Sequence, residues 1–333
     1  MKEKMELKTG DWVEVRSPLE IAKTLDQEGE CDGLPFMPEM LPYCGQRFRV
    51  LRRAEKTCIQ FPDGGYKIRE FRGADVFLLG GLRCSGSSHD GCQRACLLFW
   101  KAEWLRRVGG EQAGVVKRNS GYELLGAKLR TRVGPGRYVC QSTELAKATQ
   151  PLTRSRILVK CFYEVRSGSR GIWEMIGLIL APFWRKVTAK IPRRRLAGEL
   201  KKTPVGDLQL QPGELVEIKS AVEISQTLDA RGRNRGLSCD YGMCQYSGRR
   251  YRVRNRLDRM ISEATGEMRQ VEGTVILEDL HCLCWNVLGG CPRQDFMYWR
   301  ELWLRRVELP IAATRAKPCC FQERDTGPGQ LRP

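Results

Sequence analysis

The segment Cys84-Ser-Gly-Ser-Ser-His89-Asp-Gly-Cys92-Gln-Arg-Ala-Cys96 gathers three thiols and one imidazole into thirteen residues. Zinc takes thiolate and imidazole ligands in a tetrahedron, and a Gly/Ser-rich loop lets the backbone wrap an ion, so a structural metal site is the first chemistry to consider. Cys92 and Cys96 stand four apart, the spacing of one helical turn. Cys44 and Cys58 lie upstream as alternative ligands. A second set, Cys282, Cys284, Cys291 and Cys244 with Cys239 as its alternate, lies nearer the C-terminus, with His281 beside Cys282. The expectation is one or two zinc ions per chain, set against the simpler use of these cysteines as small buried hydrophobes. A His89 that polarises Cys92 would instead make a thiol enzyme, which further needs an orienting third group and a substrate cleft.

The rest of the inventory narrows the field. His89 and His281 are the only histidines in 333 residues, which removes most His-based hydrolases and multi-His metal centres. No phosphate-binding glycine loop, nucleotide fingerprint or Ser-His-Asp set occurs, and no small-molecule substrate is evident. Lys and Arg outnumber Asp and Glu by 57 to 39, a formal charge of +18 that favours polyanionic partners. Met1 to Gly10 holds no apolar stretch, so the expected compartment is the cytoplasm, with thiols reduced.

The elements that must position these residues occur twice. At an offset of 203, Gly10-Asp-Trp-Val-Glu-Val-Arg16 falls on Gly213-Glu-Leu-Val-Glu-Ile-Lys219, and Tyr43, Gly45, Arg47 and Val50 on Tyr246, Gly248, Arg250 and Val253. At 199, Cys92, Trp100 and Trp104-Leu-Arg-Arg-Val108 fall on Cys291, Trp299 and Trp303-Leu-Arg-Arg-Val307. Two fixed offsets mark a duplicated domain. Cys282 answers Cys84, but Leu288 stands for His89, Asp295 for Cys96 and Ser247 for Cys44. Alternating stretches such as Trp12-Val-Glu-Val15 and Arg47-Phe-Arg-Val50 read as strands, and Glu20 to Leu25 as a short helix after Ser17-Pro18. Short strands broken by Gly-rich turns predict a mainly β fold with short helices: two tandem SH3-like small barrels, residues 7–109 and 206–308, joined by a mixed, partly helical linker region. Trp100, Trp104, Trp299 and Trp303 are expected in the barrel cores. The neighbouring Arg106, Arg107, Arg305 and Arg306 are candidate polyanion contacts.

The linker, 110–205, has a different texture. Thr143 to Ala148 reads as a short helix and Ile157 to Tyr163 as a strand. Residues 172–184 form an apolar run broken only by Glu174. Thirteen residues are too few to span a bilayer, and Pro182 interrupts the run. Residues 185–202 carry eight Lys/Arg against one Glu. Trp173 and Trp184 flanking the run, with Arg185, Lys186, Arg193, Arg194 and Arg195 behind it, form a candidate interfacial membrane anchor over 172–195. The other use of such a run is a helix packed between the barrels. The tail, 309–333, is expected to be disordered.

The strings Gly33-Leu-Pro-Phe-Met-Pro-Glu-Met40, Tyr43-Cys-Gly45, Cys92-Gln-Arg-Ala-Cys96 with Phe99-Trp-Lys101, and Cys140-Gln-Ser-Thr-Glu-Leu145 resemble an uncharacterised bacterial family with two Cys/Trp-containing SH3-like repeats. Ala264-Thr-Gly-Glu-Met268 and Cys291-Pro-Arg293 in the second copy fit the same pattern. The resemblance covers nearly the whole chain and implies tandem barrel-like repeats, with no activity to carry over. The leading expectation is a non-enzymatic cytoplasmic adaptor, its cysteine-stapled repeats recognising a protein or a nucleic acid. A peripheral membrane adaptor is the alternative, and the thiol enzyme the third reading.

Overall fold

Two short capped helices set the entrance to each copy. In α1 (Pro18–Ala22) the Ser17 hydroxyl accepts from the Glu20 backbone while the Glu20 carboxylate accepts from the Ser17 amide, a reciprocal capping box. Ser220 and Glu223 repeat it one copy later, at Ala221–Ser225. The computed structural model describes residues 6–60, 66–73, 75–110, 121–188, 196–206, 208–239, 241–282 and 293–307.

Strands β1 (Trp12–Val15), β2 (Arg47–Arg53), β3 (Val76–Arg83), β4 (Leu97–Lys101) and β5 (Leu105–Arg107) form one antiparallel sheet in the order β4-β3-β2-β1-β5. Strands β6 (Leu215–Ile218), β7 (Arg250–Arg256), β8 (Thr274–His281), β9 (Phe296–Arg300) and β10 (Leu304–Arg306) repeat that order as β9-β8-β7-β6-β10. Even the irregularities recur: the β2–β3 ladder shifts register after Val50, and β7–β8 after Val253. The protein is therefore mainly β, with few short helices and two five-stranded curled sheets.

A 3-10 turn joins the fourth strand to the fifth in both sheets, Ala102–Trp104 and Glu301–Trp303. The turn folds Trp104 and Trp303 back under the sheet beside Trp100 and Trp299, and all four are fully buried. The Trp104 Nε1 donates to Thr24 Oγ1 at 3.1 Å, and Trp303 Nε1 to Thr227 Oγ1 at 2.9 Å. Phe36 packs edge-on against Trp100 and Trp104. Buried aromatic area of this kind dominates a small core.

Two expectations for the linker need correction. Ile157–Tyr163 is not a strand but the middle of helix α2 (Arg154–Arg166). Ile157, Cys161 and Val165 recur every four residues and meet Met175 and Ile179 in one small apolar cluster, so a helical period decides the segment. The apolar run becomes helix α3 (Ile172–Thr188), which continues through Pro182 at the loss of one backbone donor. Helix α3 packs on α2 and is not sandwiched by a core, because Ile172, Trp173, Ile176 and Leu180 remain exposed.

Truncating Trp104 to Ala removes one of the two largest side chains of the first core and should cost about 3–5 kcal/mol. Thr24→Val, which removes only the hydrogen-bond partner, should cost about 1 kcal/mol. Denaturant unfolding of the two variants checks the ratio, and equal losses would mean the indole is not the core's keystone.

Candidate functional site

The loop from Cys84 to Cys96 connects β3 to β4 and is drawn tight by its own backbone. The Cys84 amide donates to the Cys96 carbonyl at 2.8 Å, closing the loop at its base. The amides of His89 and Gly91 both donate to the Gly86 carbonyl at 3.0 Å. Gly86 has φ +71°, and a Cβ there would stand 2.0 Å from the Cys92 carbonyl oxygen, so only glycine fits.

Behind the loop lies a small cavity of about 30 Å³. Cys84, Cys92 and Cys96 line it as a group. The fourth thiol on its wall, Cys140, comes from outside the loop and outside the repeat. Gln141 holds that segment in place: its side chain accepts from the Phe99 amide at 2.8 Å and donates to the Phe99 carbonyl at 2.8 Å, imitating a strand partner for β4. Ile261, Arg293 and Asp295 close the cavity from the second repeat. Cys84, Cys92, Cys96 and Cys140 are all thiols outside any disulfide.

His89 lines the cavity but is not available as a ligand in this state. Its Nδ1 meets Glu39 Oε1 at 2.6 Å and its Nε2 meets the Val139 carbonyl at 2.8 Å. Both partners accept, so both ring nitrogens donate and the ring is an imidazolium. Burial alone would drive the ring toward neutrality, yet the Glu39 carboxylate outweighs it and holds His89 above the ordinary histidine value. Burial likewise opposes the Glu39 charge, and the hydrogen bond and charge of His89 overcome it to hold that carboxyl low. Among the described residues, Glu39, Cys84 and His89 are the one set of three such ligand atoms within 4.8 Å of one another. Two of the thiols are held protonated. Burial, reinforced by Glu39, pushes Cys84 well above the usual thiol range, and burial pushes Cys96 up to about 12. With its ring spent on Glu39 and Val139, His89 offers Cys92 no general base.

The alternative ligands sit elsewhere. Cys44 belongs to the first apolar core, and the Cys58 carbonyl accepts from Arg293 at 2.8 Å. Cys239 lies in the second core beside Met243, Cys244 is half-buried and Cys282 is exposed. Cys284 and Cys291 lie outside the described residues. The polyanion candidates among the described residues all face carboxylates. Arg106 pairs with Glu14, Arg107 with Asp11 at 3.4 Å, Arg305 with Glu223 at 2.7 Å and Arg306 with Glu214 at 2.7 Å. Arg193, Arg194 and Arg195 lie outside the described residues. Trp173 is 82% exposed. Trp184, Arg185 and Lys186 continue α3, their side chains outside the described set.

Sequence reasoning passed over the groups that join the repeats. Glu263, on the turn after Arg259–Ile261, keeps its side chain only 6% exposed and accepts from four directions. Arg293 donates to both its oxygens, at 3.1 and 2.9 Å, and Arg94 donates at 3.4 Å. The Ser142 hydroxyl and the Gln60 amide, both from the first half of the chain, donate at 3.1 Å each. Arg94 reaches further, donating to Tyr298 Oη and the Ile261 carbonyl, while Asp295 answers Arg293 at 3.0 Å. The amide of Ile261 donates to Cys92 Sγ at 3.4 Å, linking this junction to the thiol loop. Charge run alone could not have singled Glu263 out, since its partners lie 30 to 203 positions away.

Comparison of the chain with protein-family models, with curated proteins and with solved structures finds no match in any of the three.

Burial would raise the Glu263 carboxyl, but Arg293 and Arg94 overcome it and hold it at about 2, below the ordinary 4.5. The unfolded chain therefore takes up the extra proton, so the contribution is complete above about pH 5 and drains away as pH falls toward 2. Glu263→Gln should cost about 3–5 kcal/mol at neutral pH by leaving two buried guanidinium groups to share the Asp295 carboxylate alone. It should also flatten the acid limb of the stability profile. Unfolding followed from pH 7 to 3 tests both, and an unchanged acid limb in the variant would refute the assignment.

Proposed function

We propose that the chain is a non-enzymatic adaptor of two SH3-like barrels that docks on the anionic, cytoplasmic face of a membrane through the α2–α3 hairpin. The observation that carries this reading is the apolar surface left open on that hairpin. Helix α3 uses Met175 and Ile179 against α2, and turns Ile172, Trp173, Ile176 and Leu180 outward. Helix α2 likewise buries Ile157 and Cys161 while Leu158, Val159 and Phe162 stay exposed. An exposed apolar face of this extent marks an interaction surface.

Charge decides among its occupants. The helix leads directly into eight Lys/Arg within 185–202, the pattern of an apolar wedge followed by a polybasic segment. Each such cation near an anionic surface contributes about 1 kcal/mol. No helix among the described residues is long and apolar enough to cross a membrane, which fits docking in the interface plane. The carboxylate partners of Arg106, Arg107, Arg305 and Arg306 weaken the nucleic-acid reading, since those cations are already compensated. The spent imidazole of His89 weakens the thiol-enzyme reading. The SH3-like assignment is supported by the strand order, in which the first strand sits between the second and the fifth, and by the 3-10 turn before the last strand.

Co-sedimentation with vesicles of phosphatidylcholine alone and of phosphatidylcholine with phosphatidylserine tests the proposal. The chain should bind the anionic vesicles and lose that binding as salt rises. Trp173→Asp should abolish it with thermal unfolding unchanged. Replacing Arg193, Arg194 and Arg195 by Gln should weaken it on the order of a hundredfold. Equal binding to both vesicle types, or full binding by the Trp173 variant, would overturn the reading in favour of a protein partner.

A further inference from the structure

We infer that the cavity behind the Cys84–Cys96 loop is a four-thiolate metal site, with Cys84, Cys92, Cys96 and Cys140 as ligands and His89 outside the coordination sphere. The inference is independent of the membrane reading. Three arguments converge on it.

The donors come first. Four thiols from separate parts of the fold line one cavity: Cys84 at the end of β3, Cys92 and Cys96 on the loop, Cys140 on the segment pinned by Gln141. The cavity is small, about 30 Å³. Sulfur donors without an imidazole select zinc over magnesium or calcium.

The second argument removes the competitor. A Cys3His site needs a bare ring nitrogen at His89, and both are committed, to Glu39 at 2.6 Å and to Val139 at 2.8 Å. Cys140 supplies the fourth donor in its place. His89 then stands beside Cys84 without binding the ion, in the set whose ligand atoms lie within 4.8 Å.

The third concerns charge. A zinc ion with four thiolates carries a net charge of −2, formed as four S–H protons leave to solvent and four Zn–S bonds form. Arg94 and Arg293 line the same cavity, and the Ile261 amide already donates to Cys92 Sγ at 3.4 Å. Such donors are what orient and stabilise a metal-bound thiolate from the outer shell. No three of the four sulfurs lie within 4.8 Å of one another among the described residues, so coordination requires the cysteine side chains to turn toward a common point.

The experiment uses the full-length chain carrying Cys282→Ser and Cys291→Ser, so that the second copy's shared cysteines do not enter the count. The reduced, chelator-stripped protein is loaded with zinc alone and examined by X-ray absorption at the zinc edge. Four sulfur neighbours at about 2.3 Å are expected. A nitrogen neighbour at about 2.0 Å would overturn the assignment in favour of His89. Titration with cobalt(II) alone then compares variants through the sulfur-to-cobalt charge-transfer band. His89→Gln should keep the full band, whereas Cys140→Ser should lose a quarter of it and weaken affinity by more than the ~10–100-fold that an outer-shell loss costs. Failure of the folded chain to take up either ion, or disulfides among the four cysteines after reductive purification, would also overturn it.

Discussion

The buried carboxylate of Glu263 is the constraint around which the two halves arrange themselves. A charge taken out of water is expensive, and its cost is met only when every lone pair finds a donor. Glu263 finds them in Arg293 of its own repeat, in Arg94 of the other, and in Ser142 and Gln60. That set spans both repeats and the linker, so none of the three can shift without stranding a charge. Around it the smaller contacts fall into line. The Tyr138 amide donates to the Gly266 carbonyl, Gln93 accepts from Asp258, and Arg83 lies over the Phe296 ring at 4.1 Å.

Duplication explains how the junction arose from equal parts. What both copies retain is the part that each sheet needs for itself. The capping box recurs at Ser17/Glu20 and Ser220/Glu223, the indole-to-threonine bond at Trp104/Thr24 and Trp303/Thr227, and the arginine–carboxylate pair of the edge strand at Arg107/Asp11 and Arg306/Glu214. These contacts lie within one copy and are satisfied locally. What differs is the face that each copy turns to the other.

That division also governs what could be read from the chain. The repeat, its strands and its buried tryptophans were legible because they rest on short-range alternation and on self-similarity at fixed offsets. The cysteine loop was legible as a cluster, but its chemistry was not. His89 looks like a fourth ligand only until Glu39, fifty positions upstream, takes its Nδ1, and Cys140 sits 44 residues beyond Cys96 with no local pattern to link them. Ile157–Tyr163 misled for a related reason. Its β-branched and aromatic residues favour a strand, while the packing of Ile157 and Cys161 on Met175 favours a helix, and tertiary contact outweighs propensity.

The position of Cys96 shows how one loop came to serve two ends. Its counterpart is Asp295, and the closing hydrogen bond recurs there: the Cys84 amide donates to the Cys96 carbonyl as the Cys282 amide donates to that of Asp295. The same place on the sheet thus presents a soft donor in one copy and a carboxylate in the other. The carboxylate does not face a cavity of its own. It reaches Arg293 at 3.0 Å and Arg94 at 3.8 Å, and forms part of the wall around Cys96. Had both copies kept cysteine, the two buried guanidinium groups would share Glu263 alone, leaving one positive charge unmatched at the junction. Exchange of a thiol for a carboxylate in the second copy is therefore what lets the arginines close the first copy's cavity, and the asymmetry between the repeats is a condition of their docking.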